Sequence, residues 1–312
     1  MRLWVTGGTG FVGSNIVHAG LGRGAEVMTT VHRFRPAEPT GYQTDPVDIT
    51  DTTAVRASIE RFHPDVVVHC AILNDFNRLY TDRKAGWDSY VGATASCAAA
   101  AADVGAAFVV VSTDWVFDGT QTGADETTPP NPINLYGVLK LASELTALER
   151  GGAVARISGV NGVHRARPDS PRKQDPGFGY FVASIVDALR HGDTFTVWES
   201  PDINMIATPS LASECADLII RIGERRLEGI FHCCGADATG RMELARLACE
   251  VFDLDPGLLR SSPPAPETMP GAPIPYDTSL TSPRASDLLN HRPTPVRELL
   301  ERFRREYDAA AR

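Results

Sequence analysis

Short runs of apolar, largely β-branched residues alternate with longer stretches of helical period through the first half of the chain. Leu3–Thr6, Glu26–Val31, Val66–Cys70, Phe108–Ser112 and Ala153–Ile157 read as buried strands, each bounded by glycine, proline or polar residues. Phe11–Leu21, Thr53–Phe62, Trp87–Val104 and Leu135–Glu149 are long enough for helices, and a further strand is expected just before Asp48. Strands alternating with helices predict a parallel sheet covered on both faces. Beyond Ile157 the texture changes. Residues 161–177 form a polar, Pro- and Arg-rich loop, and helical patterns follow at Phe178–Leu189, Leu211–Ile222 and Met242–Phe252. A short strand is expected at Ile230–Cys233, an extended Pro-rich connector at Ser261–Pro275, and a closing amphipathic helix at Leu299–Tyr307. The expected division is a dinucleotide-binding domain over 1–160 and a smaller substrate lobe over 161–312, interleaved with the first.

The turn after the first strand carries the first chemistry. Val5-Thr6-Gly7-Gly8-Thr9-Gly10-Phe11-Val12-Gly13 joins that strand to the first helix, with glycines at positions 7, 10 and 13. Gly7 permits the sharp turn, Gly10 lets backbone N–H groups approach a pyrophosphate, and Gly13 lets helix and sheet pack closely. Thr9, Phe11 and Val12 complete the expected cofactor turn. The fold class is therefore α/β, a Rossmann-like doubly wound parallel sheet. At the end of the second strand a carboxylate selects NAD and an arginine accommodates the 2′-phosphate of NADP. Here the chain reads His32-Arg33-Phe34-Arg35, without an acid, so NADPH is expected ahead of NADH, with Arg33 on the phosphate. Asp48 and Ile49 are placed for the adenine edge, and Cys70, Ala71 and Ile72 for the nicotinamide ribose.

Strand Phe108–Ser112 ends in Ser112-Thr113-Asp114-Trp115, and downstream Asn134-Leu135-Tyr136-Gly137-Val138-Leu139-Lys140 opens a helix. Tyr136 and Lys140 are i and i+4 and share a helix face. An ammonium beside a phenol favours the phenolate and is expected to lower the tyrosine pKa from about 10. Thr113, at the carboxyl end of a parallel strand, is placed to donate to the same substrate oxygen. Lysine is scarce: of 30 basic residues only Lys84, Lys140 and Lys173 are lysines.

Charge and composition narrow the partners. Lys+Arg 30 against Asp+Glu 39 gives a net charge of −9, which argues against nonspecific binding to nucleic acid or anionic membranes. No apolar run approaches the ~18–20 residues of a membrane span. The six cysteines show no C-x-x-C spacing and the histidines no H-E-x-x-H pattern, so neither a disulfide framework nor a metal site is expected. With no signal-peptide pattern ahead of the first strand, a cytoplasmic location is expected.

Gly7–Gly13, Thr113 and Tyr136-x-x-x-Lys140 resemble the extended short-chain dehydrogenase/reductases. Ser-Thr-Asp-Trp-Val-Phe-Asp-Gly followed by Pro-x-Asn-x-Tyr-Gly-x-x-Lys is similar, more narrowly, to the dTDP-4-dehydrorhamnose reductases, which usually have tyrosine where this chain has Trp115. The resemblance implies an NADPH-dependent reductase of a nucleotide-activated 4-keto-6-deoxysugar. By it, Thr113 orients the keto group, Tyr136 is the general acid and Lys140 holds the nicotinamide ribose. Asp114, Trp115 and Arg165 would contact the substrate, with Arg167, Arg172 and Lys173 further candidates for its diphosphate. Tyr90 stands where the wider family often has asparagine. Two alternatives stay open: an epimerase or dehydratase that recycles bound NAD, and a non-catalytic binder like the regulatory beta subunits of methionine adenosyltransferase, which the chain also resembles around Asn134–Gly137 and Phe231-His232. Homodimer formation is left open as well.

Overall fold

The computed structural model describes residues 1–32, 34, 41–168 and 173–310. β1 (Arg2–Thr6), β2 (Glu26–Val31), β3 (Gln43–Pro46), β4 (Val66–His69), β5 (Ala107–Thr113), β6 (Ala153–Ile157) and β7 (Gly229–Cys233) form one seven-stranded sheet. Their order is β7-β6-β5-β4-β1-β2-β3, with every neighbouring pair parallel. The order reverses between β1 and β4, and in such sheets the crevice for ligands opens beyond the carboxyl ends of the strands at that point.

The helices are α1 (Phe11–Gly22), α2 (Thr52–Phe62), α3 (Phe76–Thr81), α4 (Arg83–Trp87), α5 (Ala93–Asp103), α6 (Leu135–Leu148), α7 (Phe181–Arg190), α8 (Ala212–Glu224), α9 (Arg241–Phe252), α10 (Pro283–Leu289) and α11 (Val296–Ala310). The strand sequences are apolar on both sides because both sheet faces are covered. Leu3 and Val5 point to the face packed by Ile16 of α1 and Leu218 and Ile219 of α8. Trp4, Val67 and Val110 point to the other face, against Val55 and Ile59 of α2 and Cys97 and Ala101 of α5. A separate core of Phe181 and Ile185 (α7), Leu244 and Ala248 (α9), and Leu299 and Phe303 (α11) holds the second lobe together. Residues of α8, β7 and α10 come from the second half of the chain yet pack into the sheet's own core.

The predicted continuous helix Trp87–Val104 is interrupted. α4 ends at Trp87 and a π-turn spans Asp88–Gly92 before α5 begins. Ser89 Oγ donates to the Ala85 carbonyl at 2.8 Å and Thr94 Oγ1 to the Tyr90 carbonyl at 2.6 Å, hydroxyl back-bonds that compete with the helical ladder. Widened turns of this kind cluster at functional sites, and this one buries Tyr90. The short helices α3 and α4, which periodicity does not predict, are started by Asp75 and Asp82. Their carboxylates accept the Arg78 and Ala85 amides at 3.0 Å. The described residues contain no helix long and apolar enough to cross a membrane, and the six cysteines are free thiols.

Candidate active site

The glycine turn is packed to the limit that glycine allows. Gly7 has φ +68°, and a Cβ there would lie 3.0 Å from the Ala71 backbone, so the turn and the end of β4 close on each other. A Cβ on Gly13 would drive into the Gly7 carbonyl. Gly10 N–H donates to Gly7 O at 2.8 Å, and Gly10 caps α1 without a side chain. The first-turn amides of α1 are thus left for an anion, the arrangement a dinucleotide pyrophosphate fits. Thr6 Oγ1 accepts the Cys70 and Ala71 amides at 2.9 and 3.0 Å and lies 2.8 Å from His69 Nδ1, which locks the ends of β1 and β4 together. Val12 packs into the sheet core, whereas Phe11 stacks on Tyr180 and His164, with ring centroids 4.6 and 5.9 Å apart. Asp48 and Ile49 follow β3, where Asp48 Oδ1 accepts the Thr50 amide and hydroxyl at 2.9 and 2.8 Å. Arg33 and Arg35 lie outside the described residues.

Tyr136 sits in an aromatic box. Its ring centroid is 5.6 Å from Phe76, 6.1 Å from Tyr90 and 5.9 Å from Trp115, the last two edge-on. The box is assembled from α3, the π-turn, the end of β5 and α6. Asn134 starts α6 by accepting the Gly137 amide at 2.8 Å, which sets Tyr136 in the first turn. Burial pushes the Tyr136 phenol up to about 12, opposed by a hydrogen bond with Thr113. The expected lowering by Lys140 does not occur. Lys140 is buried and donates to the Val111 carbonyl at 2.9 Å. Desolvation brings it down to about 8, against the pull of Cys70 and Glu144. Its ammonium lies 5.7 Å over the Tyr90 ring. At neutral pH the pair is therefore a phenol beside an ammonium, not a phenolate.

Thr113 and Asp114 differ from their expected roles. Asp114 is buried, and its carboxylate accepts from Thr113 Oγ1 at 3.0 Å, Ser158 Oγ at 2.8 Å and Thr278 Oγ1 at 2.6 Å. Both oxygens are spent inside the protein, so Asp114 is a clamp and not a substrate contact. The Thr113 hydroxyl donates to that carboxylate and accepts from the Trp115 amide at 3.2 Å. With its one proton directed to Asp114, the hydroxyl is not set to donate to a substrate oxygen. Trp115 packs against the loop after β6, where a Cβ on Gly177 would lie 3.1 Å from its Cζ2. Arg165 is paired with Glu306 of α11 at 3.1 Å and faces His18 of α1, which ties it to lobe packing instead of a substrate diphosphate. Arg172 lies outside the described residues, and Lys173 is exposed.

The sequence reading missed the wall opposite Trp115. Fully buried Arg241 donates to the carbonyls of Asn204 at 2.7 Å and Asp175 at 2.9 Å, and also to that of Gly177. Its guanidinium lies over Phe178 and Phe181. The pinned loop presents Asp175, crowded by protein atoms yet open to solvent. Crowding raises its carboxyl to about 6, against the pull of Arg241 and the Gly177 and Gly179 amides. A buried arginine at a helix start carries no distinctive sequence signal. Tyr90 and Phe76 were equally unreadable as parts of the site, because the π-turn and α3 bring them there.

A model of the RmlD substrate binding domain matches residues 1–308. The chain is 30% identical to a probable low-salt glycan biosynthesis reductase of Haloferax volcanii over 273 residues, covering 87% of each chain. It is 28% identical to the methionine adenosyltransferase 2 subunit beta of Mus musculus, covering 83% of this chain and 74% of that one. Among solved structures, a hypothetical dTDP-4-dehydrorhamnose reductase from Sulfolobus tokodaii superposes with a TM-score of 0.75 at 27% identity, covering 95% of this chain and 97% of the other.

Proposed function

Because the chain belongs to the RmlD substrate binding domain family, and with it to the NAD(P)-dependent oxidoreductases, we propose that it reduces the keto group of a nucleotide-activated 4-keto-6-deoxysugar with NADPH. The observation that carries the reading is Tyr136, a protonated phenol at the carboxyl end of the sheet beside Thr113 and Lys140, next to a glycine turn shaped for a dinucleotide. Gly7, Gly10, Gly13 and the amides opening α1 would hold the cofactor's pyrophosphate. Bound NADPH supplies hydride to the carbonyl carbon.

The residues of this chain supply the rest. Tyr136 gives its proton to the carbonyl oxygen as negative charge develops there, a general-acid role worth about 10²–10⁴ in rate. The raised pKa keeps that proton in place until it is needed. Thr113 holds the phenol in line, and Asp114 holds Thr113. Lys140, anchored on Val111 O, keeps a positive charge over the neighbouring Tyr90 ring. Phe76, Tyr90 and Trp115 exclude water from the transfer.

The test mixes the protein with NADPH and a panel of dTDP- and UDP-4-keto sugars and follows absorbance at the reduced nicotinamide. Stoichiometric oxidation that falls at least ~100-fold in Tyr136→Phe, at unchanged NADPH affinity, supports the reductase. Sugar conversion without net oxidation would replace it with an epimerase. Tight NADPH binding with no turnover on any sugar would favour a binding subunit, the reading that similarity to the methionine adenosyltransferase beta subunit motivates.

A further inference from the structure

We propose that Asp175, in the loop between β6 and α7, determines substrate specificity: its carboxylate accepts a hydrogen bond from the sugar hydroxyl next to the reacting carbonyl. In a 4-keto-6-deoxysugar that hydroxyl is on C3, because C5 carries the ring oxygen and C6 is a methyl group. The inference rests on the reductase reading above and deepens it by naming what the site reads on the sugar. A Cβ on Gly177 would lie 3.1 Å from Trp115 Cζ2 and 3.2 Å from Asp175 Oδ1, so indole and carboxylate flank the same bare backbone. The Trp115 ring is in turn 5.9 Å from that of Tyr136. Behind burial, the charges of Asp114 and Asp175 both help to raise the Tyr136 phenol. The Asp175 carboxylate thus stands within electrostatic reach of the proton donor.

Its backbone is fixed while its carboxylate is left with acceptor capacity. Arg241 donates to the Asp175 carbonyl at 2.9 Å and to that of Gly177, and the Asn204 amide donates to the Pro176 carbonyl at 3.0 Å. The remaining Arg241 donors go to Asn204 O at 2.7 Å and Gln174 Oε1 at 3.5 Å, so the guanidinium holds the loop without bonding to the carboxylate. A Cβ on Gly179 would lie 2.6 Å from Asp175 Oδ2; the glycine clears the space that the carboxylate occupies. Among the described residues the carboxylate accepts from backbone amides alone, Gly179 at 3.3 Å and Gly177. A carboxylate offers about four lone-pair positions, so room remains for a ligand donor. Asp114 is the contrast, with three protein hydroxyls on its two oxygens. Asp175 is also open to solvent, where a substrate can reach it. Its negative charge repels a diphosphate, whereas a sugar hydroxyl donates to it in a charge-assisted hydrogen bond.

The experiment pairs two substrates with two variants. Wild type, Asp175→Ala and Asp175→Asn are assayed with NADPH on dTDP-4-keto-6-deoxyglucose and on its 3-deoxy counterpart. Calorimetric titrations of both sugar nucleotides in the presence of NADP⁺ read binding without turnover. Wild type should prefer the 3-hydroxy sugar by about tenfold or more in kcat/KM and in affinity, the scale of a hydrogen bond to a charged group. Asp175→Ala should lose about that factor on the 3-hydroxy sugar, mainly in KM, and change by less than about twofold on the 3-deoxy sugar. Asp175→Asn, which keeps an acceptor oxygen, should recover part of the loss. Unchanged NADPH affinity reports an intact fold. Equal losses on both sugars overturn the proposal and make Asp175 a loop-positioning residue, and unchanged kinetics on the 3-hydroxy sugar overturn it outright. A wild type that binds the two sugars but reduces neither overturns the reductase reading, while the binding comparison still decides the hydroxyl contact. A wild type that binds neither overturns both.

Discussion

Burial acts on Tyr136 and Lys140 in opposite directions of pKa and toward the same end, the neutral form of each. The phenol rises to about 12 and the ammonium falls to about 8. Only the lysine therefore titrates near working pH. Its charged form is lost as pH rises through about 8, so kcat/KM should descend above that pH, with no second limb until the phenol titrates. Lys140→Met should lower kcat/KM at neutral pH and abolish the descent near 8; a descent that survives the substitution would assign it elsewhere. The same shift has a stability consequence. Between about 8 and the ordinary lysine value of 10.5 the unfolded chain binds more protons than the folded one, so stability of the apoprotein rises with pH across that window. The i,i+4 spacing foretold that the two side chains share a face. It could not foretell which effect would win, because desolvation depends on the box that α3, the π-turn and Trp115 build around them.

At the scale of elements, α6 is fastened to the sheet one turn after Lys140. Glu144 accepts Ser112 Oγ of β5 at 2.5 Å and Arg156 of β6 at 2.9 and 2.7 Å. Arg156 also lies 3.4 Å from His232 of β7. Neither member of the pair is exposed beyond 1%. Breaking such a pair leaves a buried charge uncompensated, at about 3–5 kcal/mol. Arg156→Met should lose stability on that scale in urea unfolding, and Arg156→Met with Glu144→Leu should regain most of it. A single variant within about 1 kcal/mol of wild type would mean that water reaches the pair. The sequence shows Ser112, Glu144 and Arg156 as ordinary polar interruptions of apolar segments, and only the parallel register of β5 with β6 brings them together. The glycine turn is the contrary case. Its steric demands lie between near neighbours in the chain, so spacing alone reveals it.

Across the whole molecule, Asp114 joins the two lobes. It links the end of β5 and the segment after β6 to Thr278, which lies in a short strand, Asp277–Thr278, paired with Ile206–Ala207. Asp114→Ala leaves three buried hydroxyls without their acceptor, each costing about 1–3 kcal/mol where it finds no other partner. Its melting temperature should fall, and the KM for sugar nucleotide should rise while affinity for the nicotinamide cofactor holds; an equal loss of both would show that the clamp supports the fold as a whole and not the join between the lobes. The chain by itself determined the sheet, its parallel sense, the dinucleotide turn and the Tyr136–Lys140 face, because each rests on periodicity or on contacts a few residues apart. Tertiary structure decided the rest. It turned Asp114 inward, paired Arg165 with Glu306, and set Asp175 opposite Trp115. Those outcomes depend on which remote partner reaches a charged group first, and on how much water is left when it does.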